Sequence, residues 1–350
     1  MGKITKMYVM ICFLAFLPIL LSLDSPAYDS NYYAKYTSPE GISFLSYTET
    51  WNEEKLKGLY EELLKNKHGS EIYLLQEVQV KGGSHANASV KAHFHALTNT
   101  ITLYNGDTYT EPSSFRETLS HEYGHHFAYY HVKSHHFPFS KWANVRGLEN
   151  EPVRWDAFWN YSGKHHQWFP QEIMADDYVL LYGATEPTDV EDVYSNEAFY
   201  KRTEHENQEI QNALDNKELH RYLEEATGLK IDENRLLKTP KLHSLTDDEL
   251  SFSITEKENV AYRLNLSLYE QEGDSYTEDG YHEMTTISSV QDGNEMAFSL
   301  DSVSLPSNGY IKVNVDVLDL TTSLGFQTDV FYVKMQDDEV AGPFALDELN

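Results

Sequence analysis

The apolar positions of residues 52–67 repeat with a helical period. Leu56, Leu59, Tyr60, Leu63 and Leu64 fall on one stripe and predict an amphipathic helix, ended by His68 and Gly69. The period then changes to two. Ile72, Leu74, Val78 and Val80 share one face of an expected strand closed by Gly82 and Gly83, and residues 101–104 read as a second strand, stopped at Asn105, Gly106 and Asp107. A long helix is expected from Ser114, where Ser114 and Glu117 have the spacing of a capping box. Another is expected over residues 170–182, with Pro170 in its first turn and Gly183 behind its last. Two or three more are expected between residues 190 and 227, ending at Gly228. Residues 28–50 show no clear period, and residues 132–169 are irregular and hold Trp142, Trp155, Trp159 and Trp168.

Past Leu236 period-two alternation dominates. Tyr262, Leu264, Leu266 and Leu268 share a face, as do Ile311, Val313, Val315 and Val317, and Phe331, Val333 and Met335. Shorter runs lie at residues 250–254, 284–290 and 296–300. Six or seven strands separated by turns predict an antiparallel β-sandwich of immunoglobulin or fibronectin type. The expected sandwich shows no aromatic stripe that would mark a carbohydrate face, and the simplest role for this part is a spacer or stabiliser. The chain thus divides into a leader at residues 1–27, an α+β domain at 28–236 and a β-sandwich at 237–350, with Thr239 and Pro240 at the junction.

The leader sets the compartment. Lys3 and Lys6 precede an uncharged run over residues 7–23, and small residues at Ser25 and Ala27 suit cleavage after Ala27. Pro18 and the shortness of the run argue against a spanning helix, so a secreted or extracellular protein is expected, with no stable membrane insertion after cleavage. The one cysteine, Cys12, lies in the leader, so the mature chain relies on packing or bound metal rather than disulfides. A formal net charge of −29 over 350 residues makes nucleic acid a poor partner.

The chemistry concentrates in His121-Glu122-Tyr123-Gly124-His125. Two histidines at i and i+4 on a helix present their rings on one face and can bind one zinc ion. Glu122, rotated by about 100°, can reach a water on that ion without ligating it. Leu119, Tyr123 and Phe127 form a separate apolar face for the core. Catalytic zinc commonly takes a third protein ligand, and two candidates compete. Glu172 and Asp176 share one face of an otherwise apolar helix, where burial demands compensation: zinc on Glu172 would supply it, and Asp176 would orient His121. Asp177 points elsewhere on that helix. His131 is the alternative, but its spacing calls for a glycine where Ala128 stands. His126 reads as a partly buried histidine.

These residues resemble the zincin metallopeptidases, and among them the gluzincins, which pair H-E-x-x-H with a downstream E-x-x-x-D. The resemblance covers residues 101–183. It implies a zinc-dependent peptidase with Glu122 as general base, His121, His125 and Glu172 as ligands, and a sheet whose edge strand, at residues 101–104, pairs with the substrate backbone. The absence of G-x-M-E-N favours endopeptidase over exopeptidase action. The family also implies a Tyr or His that holds the oxyanion, and Tyr161, His165, His166, His205 and His220 are all open. The tryptophan-rich stretch is either a roof over the cleft or a satellite core. The other function class is a surface-binding protein whose zincin domain is inactive and whose sandwich does the binding.

Overall fold

A computed structural model describes residues 31–344, apart from 88–89, 158–164, 247, 274 and 338. The expected leader, Trp159 and Tyr161 lie outside the described residues. Among the described residues no helix is long and apolar enough to cross a membrane.

The N-terminal part is a small mixed sheet with helices. Its elements are β1 (Ala34–Thr37), β2 (Ser43–Ser46), α1 (Glu53–Leu64), β3 (Glu77–Val80), β4 (Ala92–His95) and β5 (Thr100–Leu103), followed by α2 (Arg116–His131), α3 (Lys141–Val145), α4 (Pro170–Tyr182), α5 (Val190–Tyr194), α6 (Glu197–Lys201) and α7 (Lys217–Thr227). The strand order is β1-β2-β3-β5-β4. The β2–β3 and β3–β5 pairs are parallel, and β1 and β4 pair antiparallel with their neighbours. Asn52 caps α1 by accepting the Lys55 N–H at 3.0 Å, and the helix buries Leu56, Leu59 and Leu63 against Phe44, Val78, Ile101 and Leu103. Leu119, Tyr123 and Phe127 of α2 join the same core.

Four local expectations are corrected. Residues 28–50, which show no period, contain β1 and β2; four-residue strands are too short to reveal one. Ile72 and Leu74 are not strand residues: Ser70–Leu74 is a 3-10 turn, drawn in because the Glu71 carboxylate accepts the Gly69 N–H at 2.9 and 3.0 Å, and only Glu77–Val80 pairs. The Ser114 capping box does not form. Pro112–Phe115 is a 3-10 turn, and α2 starts at Arg116 with no side-chain cap bond. Finally, residues 101–104 are not the sheet edge. β5 lies between β3 and β4, and β4, with the sequence Ala-His-Phe-His, ends the sheet.

The C-terminal part is antiparallel. β6 (Lys241–Leu245), β7 (Glu249–Ser253) and β10 (Glu295–Ser299) make a three-stranded sheet. β8 (Val260–Glu272), β9 (Ser275–Ile287), β11 (Gly309–Asp319), β13 (Phe331–Gln336) and β14 (Glu339–Phe344) make the larger one, with β12 (Gly325–Gln327) on β11. Leu250, Phe252 and Phe298 pack with Leu264, Leu266, Val313 and Val333 between the sheets, and the Phe252 and Phe331 rings are 6.2 Å apart. The nine strands among the described residues exceed the six or seven expected, because β6, β12 and β14 carry little alternation. An aromatic cluster does exist, assembled across strands: Tyr310 of β11 stacks on Tyr269 of β8 at 4.5 Å and meets Tyr276 of β9 and Tyr332 of β13 edge-on. One tyrosine per strand leaves no stripe in the sequence.

Extensive contacts join the two parts. Val193, Ala198 and Phe199 of α5 and α6 pack with Ala261, Leu318 and Leu320. Asp316 accepts from Arg202 at 2.7 Å and from Arg263 at 2.8 Å, and Thr203 pairs with Leu324 as an isolated parallel bridge.

Candidate metal centre

The centre forms where α2 crosses α4. Gly124, inside the H-E-x-x-H segment, makes the crossing close. A Cβ there would sit 2.9 Å from the Ala175 carbonyl oxygen, 3.0 Å from Ala175 Cα and 3.2 Å from Tyr178 Cβ. Tyr123 and Phe127 lock the crossing against Tyr178, with ring centroids 5.7 and 4.7 Å apart. Glu172, in the first turn of α4, is thereby brought over the two histidines.

The ligating atoms of His121, His125 and Glu172 all lie within 4.8 Å of one another. Glu172 Oε2 is 3.1 Å from His121 Nε2 and 3.3 Å from His125 Nε2. Metal–ligand bonds of about 2.0–2.1 Å at the tetrahedral angle require ligand atoms about 3.3 Å apart, so the residues present fit a small divalent ion. Burial opposes a charge on His121, but Asp176 and Glu172 raise its pKa well above the usual histidine value. Burial likewise acts to raise Glu172, yet the two histidines hold its pKa well below the usual carboxylate range. The site is built to hold positive charge.

Its supports are buried. The His121 Nδ1–H donates to Asp176 Oδ1 at 2.9 Å, which turns Nε2 toward Glu172 Oε2. Asp176 Oδ2 accepts the Glu206 N–H at 2.8 Å, so both carboxylate oxygens are engaged. Asp177 serves a different purpose: it accepts from Arg146 Nε at 2.9 Å and from the Trp142 indole at 3.3 Å, a wholly buried ion pair under α4. Arg235 donates to the carbonyls of Val179, Leu180 and Gly183, each at 2.9 Å, and so satisfies the C-terminal end of α4.

Glu122 is 6% exposed, and its Oε2 has no hydrogen-bond partner among the described residues. Burial raises its pKa; His125 and His121 act against that, Glu172 adds to it, and the Phe94 N–H of β4 lowers it. The edge strand therefore touches the general-base candidate directly.

Of the histidines left open by the sequence, His166 stands nearest the centre. Its Nε2 is 3.6 Å from Glu172 Oε2 and its Nδ1 is 2.8 Å from Glu206 Oε2. His205 is buried beneath α4. It accepts the Asn207 N–H at Nδ1 (2.9 Å) and donates from Nε2 to Ile173 O (3.3 Å), which fixes the neutral tautomer; burial lowers its pKa. His220 bonds the Ala213 carbonyl, and His165 occupies a left-handed turn before the 3-10 turn His166–Trp168. The alternative ligand His131 is turned away, its Nε2 2.9 Å from Glu71 Oε2, and His126 bonds the Glu71 carbonyl at 2.8 Å. Trp142 and Trp168 are buried and Trp155 packs against the same core, so the described tryptophans form core rather than a roof.

Sequence reasoning missed Glu206, Arg146, Arg235 and β4. Only β4 left a signal, the alternating histidines of Ala-His-Phe-His. No family model, curated protein or solved structure matches this chain.

Proposed function

We propose that the protein is a secreted zinc-dependent endopeptidase of gluzincin type, with residues 28–236 as its zincin-like catalytic domain and residues 237–350 as an immunoglobulin- or fibronectin-like accessory sandwich. The observation that carries this reading is the triangle of His121, His125 and Glu172 with a buried, half-unpartnered Glu122 beside it. Two imidazoles and one carboxylate are a donor set suited to zinc, and they leave a fourth position open. Zinc bound there supplies a Lewis acid and a water of lowered pKa.

The chain's own residues do the rest. Glu122 takes the proton of the attacking water and delivers it to the leaving amine, and its raised pKa suits both steps. Asp176 keeps His121 in the tautomer that offers Nε2. An extended substrate adds to the free side of β4, which sets its scissile carbonyl beside Glu122. His166, steadied by Glu206, is placed to hydrogen-bond the oxygen on which charge develops.

The test compares the mature chain with Glu122→Gln on an unfolded protein, with cuts read by mass spectrometry and metal content by elemental analysis. Internal cuts by the wild type, and a loss of about 10²–10⁴-fold in the variant at equal metal content, are expected. Equal, negligible cutting by both, with metal bound in both, would favour the binding-protein reading instead.

A further inference from the structure

The outer face of the larger sheet changes character along its strands. At one end Ala261 of β8 and Leu318 of β11 are covered by Val193, Ala198 and Phe199 of the N-terminal part. Roughly 27 Å along the strands, the same face carries four half-buried tyrosines from four neighbouring strands: Tyr276 of β9, Tyr269 of β8, Tyr310 of β11 and Tyr332 of β13. They brace one another. Tyr269 and Tyr310 stack at 4.5 Å with their planes 15° apart, and Tyr276 and Tyr332 meet Tyr310 at 5.1 and 5.8 Å with planes at 63° and 68°. Four strands side by side span roughly 14 Å, so the cluster forms a broad shelf on a rigid scaffold rather than a pocket.

The shelf is aromatic and cationic. Lys312 stands opposite Tyr332, and Lys334 opposite Tyr310, so phenols and ammonium groups alternate across β11 and β13. Neither lysine has an ion-pair partner among the described residues, in a chain of 56 acids and 27 bases. Glu278, opposite Tyr269, lies on the β9 side of the cluster. Burial raises the pKa of Tyr269 and Tyr310, helped by Glu278 and the neighbouring phenols, so these hydroxyls stay protonated and can donate. The aliphatic side chains of the same strands, such as Leu266, Leu268, Ile311, Val313 and Val333, turn inward to the core. A protein interface would enrich Met and Arg and shed lysine; around these tyrosines the reverse holds. A sugar ring fits better. Its C–H face lies on a phenol ring, its hydroxyls exchange hydrogen bonds with the tyrosine O–H groups, and a carboxylate on the ring meets a lysine. An open shelf accepts the internal units of a chain, whereas enclosing a chain end calls for a concave site.

We propose that this shelf binds an acidic polysaccharide built of uronic acid units, with the tyrosines taking the sugar faces and Lys312 and Lys334 the carboxylates. The inference is independent of the peptidase reading. Screening over about 8 Å at physiological salt lets the two lysines act locally against the net charge of −29. The sandwich then does more than brace the N-terminal part: it holds the protein on a surface that carries such a polymer.

The experiment uses the full mature chain and an end-labelled galacturonic acid hexamer, read by fluorescence anisotropy. Cellohexaose, hexaglutamate and sialyllactose compete as a neutral sugar chain, a charged chain without sugars and an acidic chain end. The unlabelled hexamer is expected to compete at least about tenfold better than each of them. Lys312→Gln combined with Lys334→Gln should weaken binding about tenfold or more, Tyr332→Ala about fivefold, and Tyr332→Phe less than Tyr332→Ala. Glu122→Gln should leave it unchanged. Thermal melts check that the variants fold, and the lysine pair still decides if Tyr332→Ala does not. Absence of binding overturns the proposal. So does equal competition by hexaglutamate, which leaves only charge, by cellohexaose, which leaves only stacking, or by sialyllactose, which leaves a chain-end site. Binding that survives both the lysine and the tyrosine variants places the ligand elsewhere and also overturns it. A dimer in sedimentation that Lys334→Glu disrupts, with no hexamer bound, would assign the face to a second copy of this chain instead.

Discussion

Gly124→Ala is the sharpest test of how the centre is built. In an exposed helix interior this change stabilises by about 1 kcal/mol, because alanine loses less backbone entropy than glycine. Here the new Cβ would lie 2.9 Å from the Ala175 carbonyl oxygen and 3.0 Å from Ala175 Cα, both backbone atoms of a packed helix. Comfortable contact needs about 3.5–4.0 Å, so α4 must retreat by roughly 0.5–1 Å at a strain of about 1–3 kcal/mol. The two effects partly cancel, and net destabilisation should be no more than about 2 kcal/mol. Metal binding does not cancel. Glu172 is one turn from Ala175 and moves with it, whereas a ligand set tolerates only about 0.2 Å. An affinity loss of tenfold or more is expected, equivalent to at least about 1.4 kcal/mol less metal-induced stabilisation at saturating zinc. Competition against a chromogenic chelator measures the affinity, and thermal melts with and without zinc measure the two stabilities. If the variant gains about 1 kcal/mol and binds zinc like the wild type, the close crossing is not what sets Glu172, and the argument fails.

Asp176→Asn keeps the shape but removes the charge that faces His121 Nδ1, and should weaken zinc binding about 10–100-fold, measured by the same competition. Glu71 accepts from Tyr123 and stands against His131 with its pKa lowered to about 2, against about 4.3 in an unfolded chain. Burial alone would raise that value; the hydrogen bonds from His131, Gly69 and Tyr123 overcome it. The folded pKa is the lower one, so this stabilisation, on the order of 3 kcal/mol, is complete above about pH 5 and vanishes as pH falls through 2. Glu71→Gln should therefore be less stable than the wild type at pH 7 in urea melts and converge with it at acid pH; a gap independent of pH would refute the assignment. Arg235→Ala strands three carbonyls at the end of α4 and should cost about 3 kcal/mol or more, with Arg235→Lys recovering only part of it, since an ammonium cannot span the three acceptors.

What the sequence revealed and what it hid divide along physical lines. His121, Glu122 and His125 are legible because one helix fixes their spacing, and Glu172 with Asp176 because acids at i and i+4 on an apolar helix require a reason. That these two helices face each other follows in the sequence only from the need to compensate those acids; in the fold it depends on the glycine that permits the approach. His166 and Glu206 lie on irregular backbone, where position depends on tertiary packing and no period reports it. The sheet edge was misassigned because β4 alternates histidine with alanine and phenylalanine, so its buried and open faces differ little in apolarity. The tyrosine cluster was hidden for a related reason: register between strands assembles it, and register is not written along any one of them.

The β-domain cannot be only a spacer. A spacer needs an interface that is small and polar enough to open. Here Val193, Ala198 and Phe199 give up their apolar surface to Ala261, Leu318 and Leu320. Asp316, 1% exposed, collects Arg202 from one side and Arg263 from the other. Separating the parts would bare that apolar patch and split a buried charge network, and a buried charge left without its partner is costly. Lys257 reaches across as well, bonding Asp319 at the end of β11 and the carbonyl of Asn234, the chain neighbour of Arg235, the residue that closes α4. The helix that supplies Glu172 and Asp176 is therefore held at its C-terminal end by the same seam that carries the sandwich, and the accessory part contributes to the rigidity of the metal centre without touching it.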